Sequence, residues 1–305
     1  MSSRRGLVAF GGNALIQANE KGTIHEQKAN ARAASRALIP LFETYDNIMV
    51  VHGNGPQVGQ NLIRVEEAVT KVPPLPLDVC VAETQGSMGY IIEKSLGNEL
   101  YRRKIRRDII SVLSLVEVDA EDPAFKNPTK PIGPFYTAYR AKHLMEEERW
   151  PMVEDSGRGY RKVVPSPKPR RVLYTNALKA LYDSGIIVIA GLACELEVDE
   201  LIFLTSVPCL YINFGKPDQK ALHEVMLEDV LKYQKEGQFP PGSMGPKVEA
   251  AAQFLARRGG SVLLTDAEHL SDALKGGAGT RIFHKKSSRQ RSSECSAKTL
   301  SQSTI

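Results

Sequence analysis

Short apolar runs alternate along the chain with longer amphipathic stretches. Leu7 to Phe10, Ile48 to Val51, Ile109 to Leu113, Ile186 to Ala190, Leu201 to Thr205 and Ser261 to Thr265 have strand length and are rich in Val, Ile and Leu. Such continuous runs suit strands buried on both faces of a parallel sheet. Helical spacing runs over about Glu26 to Phe42, Gln57 to Ala68, Val79 to Leu100, Thr175 to Asp183, Gln219 to Tyr233 and Pro246 to Arg257, with Pro246 placed for a first helical turn. The alternation predicts an α/β fold, a three-layer α/β/α sandwich with a mostly parallel central sheet. From about Asp119 to Arg171 the rhythm fails, and eight prolines from Pro123 to Pro169 punctuate the segment. We read 119–171 as a protruding subdomain or lid on a domain covering residues 1–283.

Composition changes this picture little. The chain has 305 residues, 42% hydrophobic and 25% charged, enough for an ordered core. No apolar run approaches the ~20 residues that cross a bilayer, and the start Met-Ser-Ser-Arg-Arg-Gly leaves no room for a secretory signal before Leu7. The expectation is a soluble, cytoplasmic protein with no membrane partner. Cys80, Cys194, Cys209 and Cys295 form no Cys-x-x-Cys pair, so neither a disulfide framework nor a metal site is expected from them.

Charge does change it. The formal net charge is +5, but Lys285, Lys286, Arg289, Arg291 and Lys298 face only Glu294 in residues 284–305, which leaves the rest of the chain at +1. That Ser-rich tail has too little apolar surface to offset ordering entropy and is expected to be disordered. A nucleic-acid partner would need a basic folded face with stacking aromatics, so none is expected.

Candidate chemistry lies in glycine loops and lysines. The first strand runs into Gly11-Gly12-Asn13 ahead of a helix, where backbone N–H groups could meet an anion, although a ligand-free tight turn would look the same. The second strand ends in His52-Gly53-Asn54-Gly55-Pro56-Gln57-Val58-Gly59. Two such loops at one edge of a parallel sheet are where α/β proteins bind ligands. The spacing is neither Gly-x-Gly-x-x-Gly nor a Walker loop. His52, with no neighbouring partner for a triad, reads as a packing or hydrogen-bonding residue rather than a base. Lys130 in Asn127-Pro128-Thr129-Lys130-Pro131 and Lys247 in Gly242-Ser243-Met244-Gly245-Pro246-Lys247 stand in stiffened loops, either surface lysines or fixed charges for a phosphoryl group.

With these segments in view, the chain resembles the carbamate kinases of the amino acid kinase family. The resemblance rests on Ala9 to Ala14, His52 to Gly59, Pro76 to Cys80, Thr84-Gln85-Gly86, Phe125 to Gly133, Glu154 to Gly159, Arg161 to Pro169, Asn213 to Asp218 and Gly242 to Lys247, in family order from about Leu7 to Phe283. The Asn-Pro-Thr-Lys-Pro-Ile-Gly and Lys-Val-Val-Pro-Ser-Pro-Lys-Pro runs separate carbamate kinases from acetylglutamate or uridylate kinases. The resemblance implies reversible phosphoryl transfer between ATP and carbamate in arginine catabolism, with carbamoyl phosphate and ADP giving ATP, Mg²⁺ as cofactor, and a homodimer. By the same analogy Gly11, Gly12 and Asn13 cradle ATP phosphates, and Gly53, Asn54 and Gly55 hold carbamate or carbamoyl phosphate. Lys130 and Lys247 are the catalytic lysines, and Thr205, Val207 and Met244 line the nucleotide pocket. Carbamate is already an anion, so the chemistry needs alignment and charge neutralisation but no general base.

The resemblance breaks at one place. Where the family has a Gly-Gly-Gly-Gly-Ile-Pro loop and then an Asp-Lys-Asp segment, this chain passes through Gly191 to Glu200 directly into the next strand. Ten residues stand at the lower limit for a parallel crossover, which takes roughly 10–12. A gene model or splice form lacking an internal segment, a degenerate pseudoenzyme, and an enzyme with substitute groups all fit, the first best. A nucleotide-binding relative without catalysis is the alternative to an active kinase. Another amino acid kinase with a carboxylate substrate is disfavoured by the Lys130 and Lys168 segments.

Overall fold

The computed structural model describes residues 3–284 apart from 11–14, 17–19, 156, 158, 192–195 and 241–243. Gly11, Gly12 and Asn13, and the tail from 285 onward, therefore lie outside the described residues. The first elements are β1 (Arg5–Phe10), α1 (Ile24–Thr44), β2 (Asn47–His52), α2 (Gly55–Ala68), α3 (Leu77–Arg103), β3 (Ile109–Val112) and β4 (Val116–Val118). There follow β5 (Lys130–Tyr136), α4 (Ala138–Glu147), β6 (Met152–Glu154), β7 (Tyr160–Val164), β8 (Pro169–Val172), α5 (Thr175–Asp183) and β9 (Ile187–Ala190). The chain continues with β10 (Glu200–Leu204), β11 (Leu210–Ile212), β12 (Lys220–Leu222), β13 (Glu224–Met226), α6 (Leu227–Lys235), α7 (Met244–Arg258), β14 (Ser261–Thr265), α8 (Leu270–Leu274) and β15 (Thr280–Phe283). The fold class is α/β with a mostly parallel sheet, as the alternation predicts, and the chain divides into two compact units.

One unit comprises residues 10–36 and 49–196. Its sheet strands run in the order β2, β9, β3, all parallel, with Met49 beside Val188 and Ile109 beside Ile187. Every residue of β9 is buried, the mark of a strand covered on both faces. Helix α3 packs on β3 and β9, and α5 packs on β9. Within 119–171, β5, β7 and β6 form an antiparallel sheet, with α4 against β5 and β7; at the base of this segment β4, just before it, pairs with β8 at its end. Pro131 is tolerated because β5 is an edge strand.

The other unit comprises residues 1–9, 37–48 and 197–305. Its strand order is β13, β15, β14, β10, β1; β14 and β15 are antiparallel, whereas β10 runs parallel to β14 and β13 to β15. Helix α7 packs on β10 and β14, α8 on β14 and α6 on α7. The expected helix over Gln219 to Tyr233 forms only from Leu227. Residues 220–222 instead pair antiparallel with β11, and 224–226 join β15, so sheet bonds satisfy their backbone before the helix can.

A buried carboxylate holds this second unit. Glu200, 5% exposed at the entrance to β10, accepts hydrogen bonds from Tyr45, from Arg281 on β15 and from Ser261 Oγ on β14 (2.9 Å). Burial, then the neighbouring Glu200 charge, pushes the Tyr45 hydroxyl far above its ordinary pKa, so it stays a donor. The Tyr45 ring lies so close to β1 that a Cβ on Gly6 would sit 2.9 Å from it, leaving room only for glycine. Just ahead of Glu200, the Asp199 carboxylate accepts from Arg5 N–H (2.9 Å) while its own N–H donates to Arg5 C=O (2.8 Å), which fixes the end of the Gly191 to Asp199 connection.

Removing one partner of a buried ion pair strands the others. Glu200→Ala should lower the unfolding free energy by about 3–5 kcal/mol, read as a fall in the urea midpoint at unchanged slope. A loss below about 1 kcal/mol would show that the network is dispensable.

Candidate active site

In the unit of residues 10–36 and 49–196, β2 delivers Gly53, Asn54 and Gly55 to the start of α2. The Asn54 side-chain amide donates to Thr84 Oγ1 (2.9 Å) and to Val81 C=O (3.4 Å) on α3, and Thr84 Oγ1 in turn donates to Val81 C=O (2.8 Å). Asn54 is thus held by a neighbouring helix instead of capping its own. No side chain caps α2, Pro56 has no N–H, and the Gly55 and Gln57 N–H groups have no acceptor among the described residues. The space beside Gly55 where a Cβ would stand is empty. An exposed glycine turn with unmet donors at a 14-residue helix start is a ready site for an anion.

His52 beside this turn is buried, and desolvation holds its pKa below the ordinary value, so the imidazole is neutral. Its Nδ1 has no hydrogen-bond partner among the described residues, in keeping with packing and not with a paired base. Lys130 opens β5 and is exposed. Its approach loop is fixed by Asp122, whose carboxylate accepts from Ala124 N–H (2.8 Å) and Lys168 N–H (3.0 Å); those bonds hold the carboxyl below its usual pKa. Close to Lys130, β5 meets α2 at glycines: a Cβ on Gly59 would lie 3.5 Å from Gly133 Cα, and Gly133 has φ +73°. The structure thereby links α2 and β5 within one compact unit.

In the unit of residues 1–9, 37–48 and 197–305, Thr205 follows β10. Its hydroxyl donates to Val207 C=O (2.6 Å) and accepts from Val207 N–H (3.1 Å), and its own N–H donates to Thr265 C=O (2.8 Å). This tight turn keeps both residues half-buried at the carboxyl ends of β10 and β14. Met244 and Lys247 sit in the first turn of α7, where Gly245 N–H donates to Pro240 C=O (2.9 Å). Lys247 is half-buried, and burial lowers its pKa. Among the described residues, no three His, Cys, Asp or Glu side chains gather as a metal cage.

Sequence reasoning singled out the turn at Gly53 to Gly55 but gave Thr84 and Gln85 no role of their own. Thr84 fixes Asn54. Gln85 accepts from Ser114 N–H (2.9 Å) and lies within 2.7 Å of where a Gly191 Cβ would stand, so it braces the exit of β9. Two consecutive polar residues in a helix that is otherwise buried at Cys80, Met88 and Leu96 were the available signal.

Lys130 stands at the start of β5 and Lys247 in the first turn of α7, so neither lies in the loop that its sequence suggested. The class that emerges is a mostly parallel α/β protein with an anion-receptive turn at a strand end. The chain belongs to the amino acid kinase family, whose model matches residues 4–266. Among its members it is similar to carbamate kinases. It is 37% identical to that of Thermococcus kodakarensis over 311 positions, covering 92% of this chain and 99% of the relative. Against the Staphylococcus haemolyticus carbamate kinase it is 40% identical over 308 positions, covering 90% and 98%. Carbamate kinase from Giardia lamblia bound to AMP-PNP is similar in structure, with a TM-score of 0.83, 35% identity, and coverage of 93% of this chain and 99% of that one. Since 92% of 305 residues is about 281, some 30 of the 311 positions aligned with the Thermococcus protein face gaps in this chain.

Thr84→Val removes the oxygen that accepts from Asn54 and should cost about 1 kcal/mol. Amide exchange over residues 53–59 should quicken relative to the parent. Unchanged exchange there would mean that the turn is held by something else.

Proposed function

We propose that this chain catalyses reversible phosphoryl transfer between ATP and carbamate, with carbamoyl phosphate and ADP as the other pair of reactants. The observation that supports this reading is the uncapped start of α2, whose exposed glycine turn leaves two N–H donors without an acceptor among the described residues beside a pinned Asn54. Carbamate or carbamoyl phosphate binds there, at Gly53, Asn54 and Gly55. The anionic carbamate oxygen attacks the γ-phosphorus directly, so no side chain has to remove a proton, and the neutral, buried His52 fits that requirement.

Catalysis is then alignment and charge neutralisation. Lys130 meets the transferring phosphoryl group, and Lys247 offsets charge on the nucleotide side; both act as fixed cations. Gly11, Gly12 and Asn13 cradle ATP phosphates, while Thr205, Val207 and Met244 border the nucleotide. Likeness to an AMP-PNP-bound carbamate kinase supports the nucleotide assignment. The described residues supply no cluster of carboxylates, so Mg²⁺ would arrive on the nucleotide phosphates and not in a protein cage. The 119–171 segment is proposed to act as a lid carrying Lys130.

A homodimer is part of the proposal: Tyr90 and Tyr101 on α3 and Ile110 and Leu113 at the edge strand β3 are exposed apolar groups that a second copy would cover. A place in arginine catabolism and a cytoplasmic setting rest on the likeness to carbamate kinases. No helix among the described residues is long and apolar enough to cross a membrane.

A second reading, nucleotide binding without turnover, starts from the Gly-rich and Asp-Lys-Asp runs of the resemblance, which this chain lacks between Ala190 and Leu201. ATP formation from ADP, Mg²⁺ and carbamoyl phosphate decides between them. Turnover by the chain as it stands is expected. Turnover only after a family-like segment is restored between those residues would establish the second reading instead.

Lys130→Ala should lower kcat by about 10²–10³ while nucleotide affinity changes far less. Equal kcat in mutant and parent would remove Lys130 from the site. Lys247 loses its proton at a lower pH than an ordinary lysine, so catalysis that needs its charge falls early on the alkaline side. Lys247→Arg should move that alkaline limb of kcat/KM to higher pH, because guanidinium keeps its charge.

A further inference from the structure

Helix α2 and the 119–171 segment enclose a cavity of about 490 Å³, and none of the proposed catalytic or substrate residues lines it. The volume is in the range of small-molecule sites. One side is aliphatic: Leu62 and Val65 from α2, Leu75 from the turn before α3, and Ile132, Leu144 and Val164 from the 119–171 segment. The other side is polar, and its groups are unequally satisfied. Tyr136 Oη donates to Glu66 Oε2 (2.8 Å), so that carboxylate already has a partner.

Lys162 does not. Its ammonium stands 3.9 Å from the centre of the Trp150 ring, half-buried, with no hydrogen-bond acceptor among the described residues. Arg140 lines the same cavity, and its guanidinium likewise has no acceptor there. The Trp150 face offsets part of the ammonium's desolvation, but a π-face leaves N–H donors unmet. Burial accordingly lowers the Lys162 pKa, with Glu66 and Glu148 opposing the shift only through space. Glu66 Oε1 and Glu148 leave acceptor capacity at the same end, so a ligand head has to place its acceptor oxygens on Lys162 and Arg140 and stand clear of those two carboxylates, while the rest of the cavity asks for a hydrocarbon body.

We propose that this cavity is a second ligand site, taking a small monocarboxylate with an apolar body, the head on Lys162 and Arg140 and the body along α2. The two walls continue elements that elsewhere carry proposed substrate residues. α2 begins at Gly55 and reaches Leu62, Val65 and Glu66; β5 begins at Lys130 and reaches Ile132 and Tyr136. An occupant would bias the packing of β5 on α2 and thereby the setting of Lys130. That consequence rests on the proposed kinase reading, whereas the binding itself does not.

Trp150 is the only tryptophan of the chain, so its fluorescence reports on this cavity alone. The full chain is titrated with octanoate at constant ionic strength, with acetate and octan-1-ol as head-only and tail-only probes. Octanoate should give a saturable change in Trp150 emission, with acetate and octan-1-ol each at least about tenfold weaker. Lys162→Gln should weaken octanoate by about tenfold or more. Val65→Phe, which fills the body end and keeps the ammonium, should abolish the saturable change. Both variants are first checked for cooperative thermal unfolding, and if Lys162→Gln fails to fold, Val65→Phe and the three-probe comparison on the parent decide. No saturable change with octanoate in the parent, equal binding of octanoate to Lys162→Gln, or octan-1-ol binding as tightly as octanoate would each overturn the assignment. The readout needs no phosphoryl transfer, so an inactive chain that binds octanoate refutes only the kinase reading.

Discussion

One buried carboxylate sets the conditions under which β10 can exist. The Glu200 carboxylate, in a strand with no exposed residue, would cost several kcal/mol if unpaired, yet it is met from three sides by Tyr45, Ser261 and Arg281. Those partners come from the end of α1, from β14 and from β15, so the charge is satisfied only when all of them have assembled. The network therefore works as a register pin: with both faces of β10 buried, burial of its apolar side chains alone does not fix the register, whereas a slip of one residue would turn Glu200 away from its donors. Gly6 extends the same constraint to β1, because only a residue without Cβ admits the Tyr45 ring.

The proposed chemistry uses the opposite arrangement. Glu200 is a charge fully answered within the protein, whereas the start of α2 offers backbone donors that no acceptor among the described residues answers. That contrast separates structural from functional electrostatics in this chain. Where a polar group must hold the fold, its partners are side chains of neighbouring strands; where it must meet an anion, backbone N–H groups are left uncapped and Asn54 is turned sideways onto Thr84. Preorganised donors of this kind stabilise charge without reorganising during the reaction. A carbamate nucleophile asks for nothing more, because it carries its own negative charge.

Most of the sheet was legible in the sequence because buried parallel strands are short, apolar and punctuated by glycine. Ile187–Ala190 and Ser261–Thr265 follow directly from that pattern. The failure over residues 219–226 has a plain cause: β12 and β13 are three residues each, too short for alternation to compete with the helical spacing that continues into α6. The turn at Gly53 to Gly55 was legible for the same reason as the strands. The anchoring of Asn54 by Thr84 was not, since the two are 30 residues apart and their pairing depends on how α3 lies against β2. The cavity beside Trp150 was equally out of reach, because its walls come from α2 and from a proline-rich segment whose sheet pairing leaves almost no periodic trace.

The shortened connection between β9 and β10 bears on chemistry more than on folding. Closing a loop costs free energy only logarithmically in its length, so even a crossover some tens of residues shorter changes the closure term by only about 1 kcal/mol, and in favour of the folded state. Nine residues, Gly191 to Asp199, span up to about 30 Å when extended, and their far end is fixed by the reciprocal Arg5 and Asp199 bonds. A link of this length is compatible with the fold, in keeping with a TM-score of 0.83 to a carbamate kinase structure. What the link lacks, by the resemblance to carbamate kinases, is the charge of an Asp-Lys-Asp run. One preorganised electrostatic group is typically worth about 10²–10³ in rate, far more than the loop-closure term can return. The balance of this chain thus turns on whether its remaining lysines and N–H groups neutralise the phosphoryl group unaided, while its stability rests on Glu200 and the strands around it.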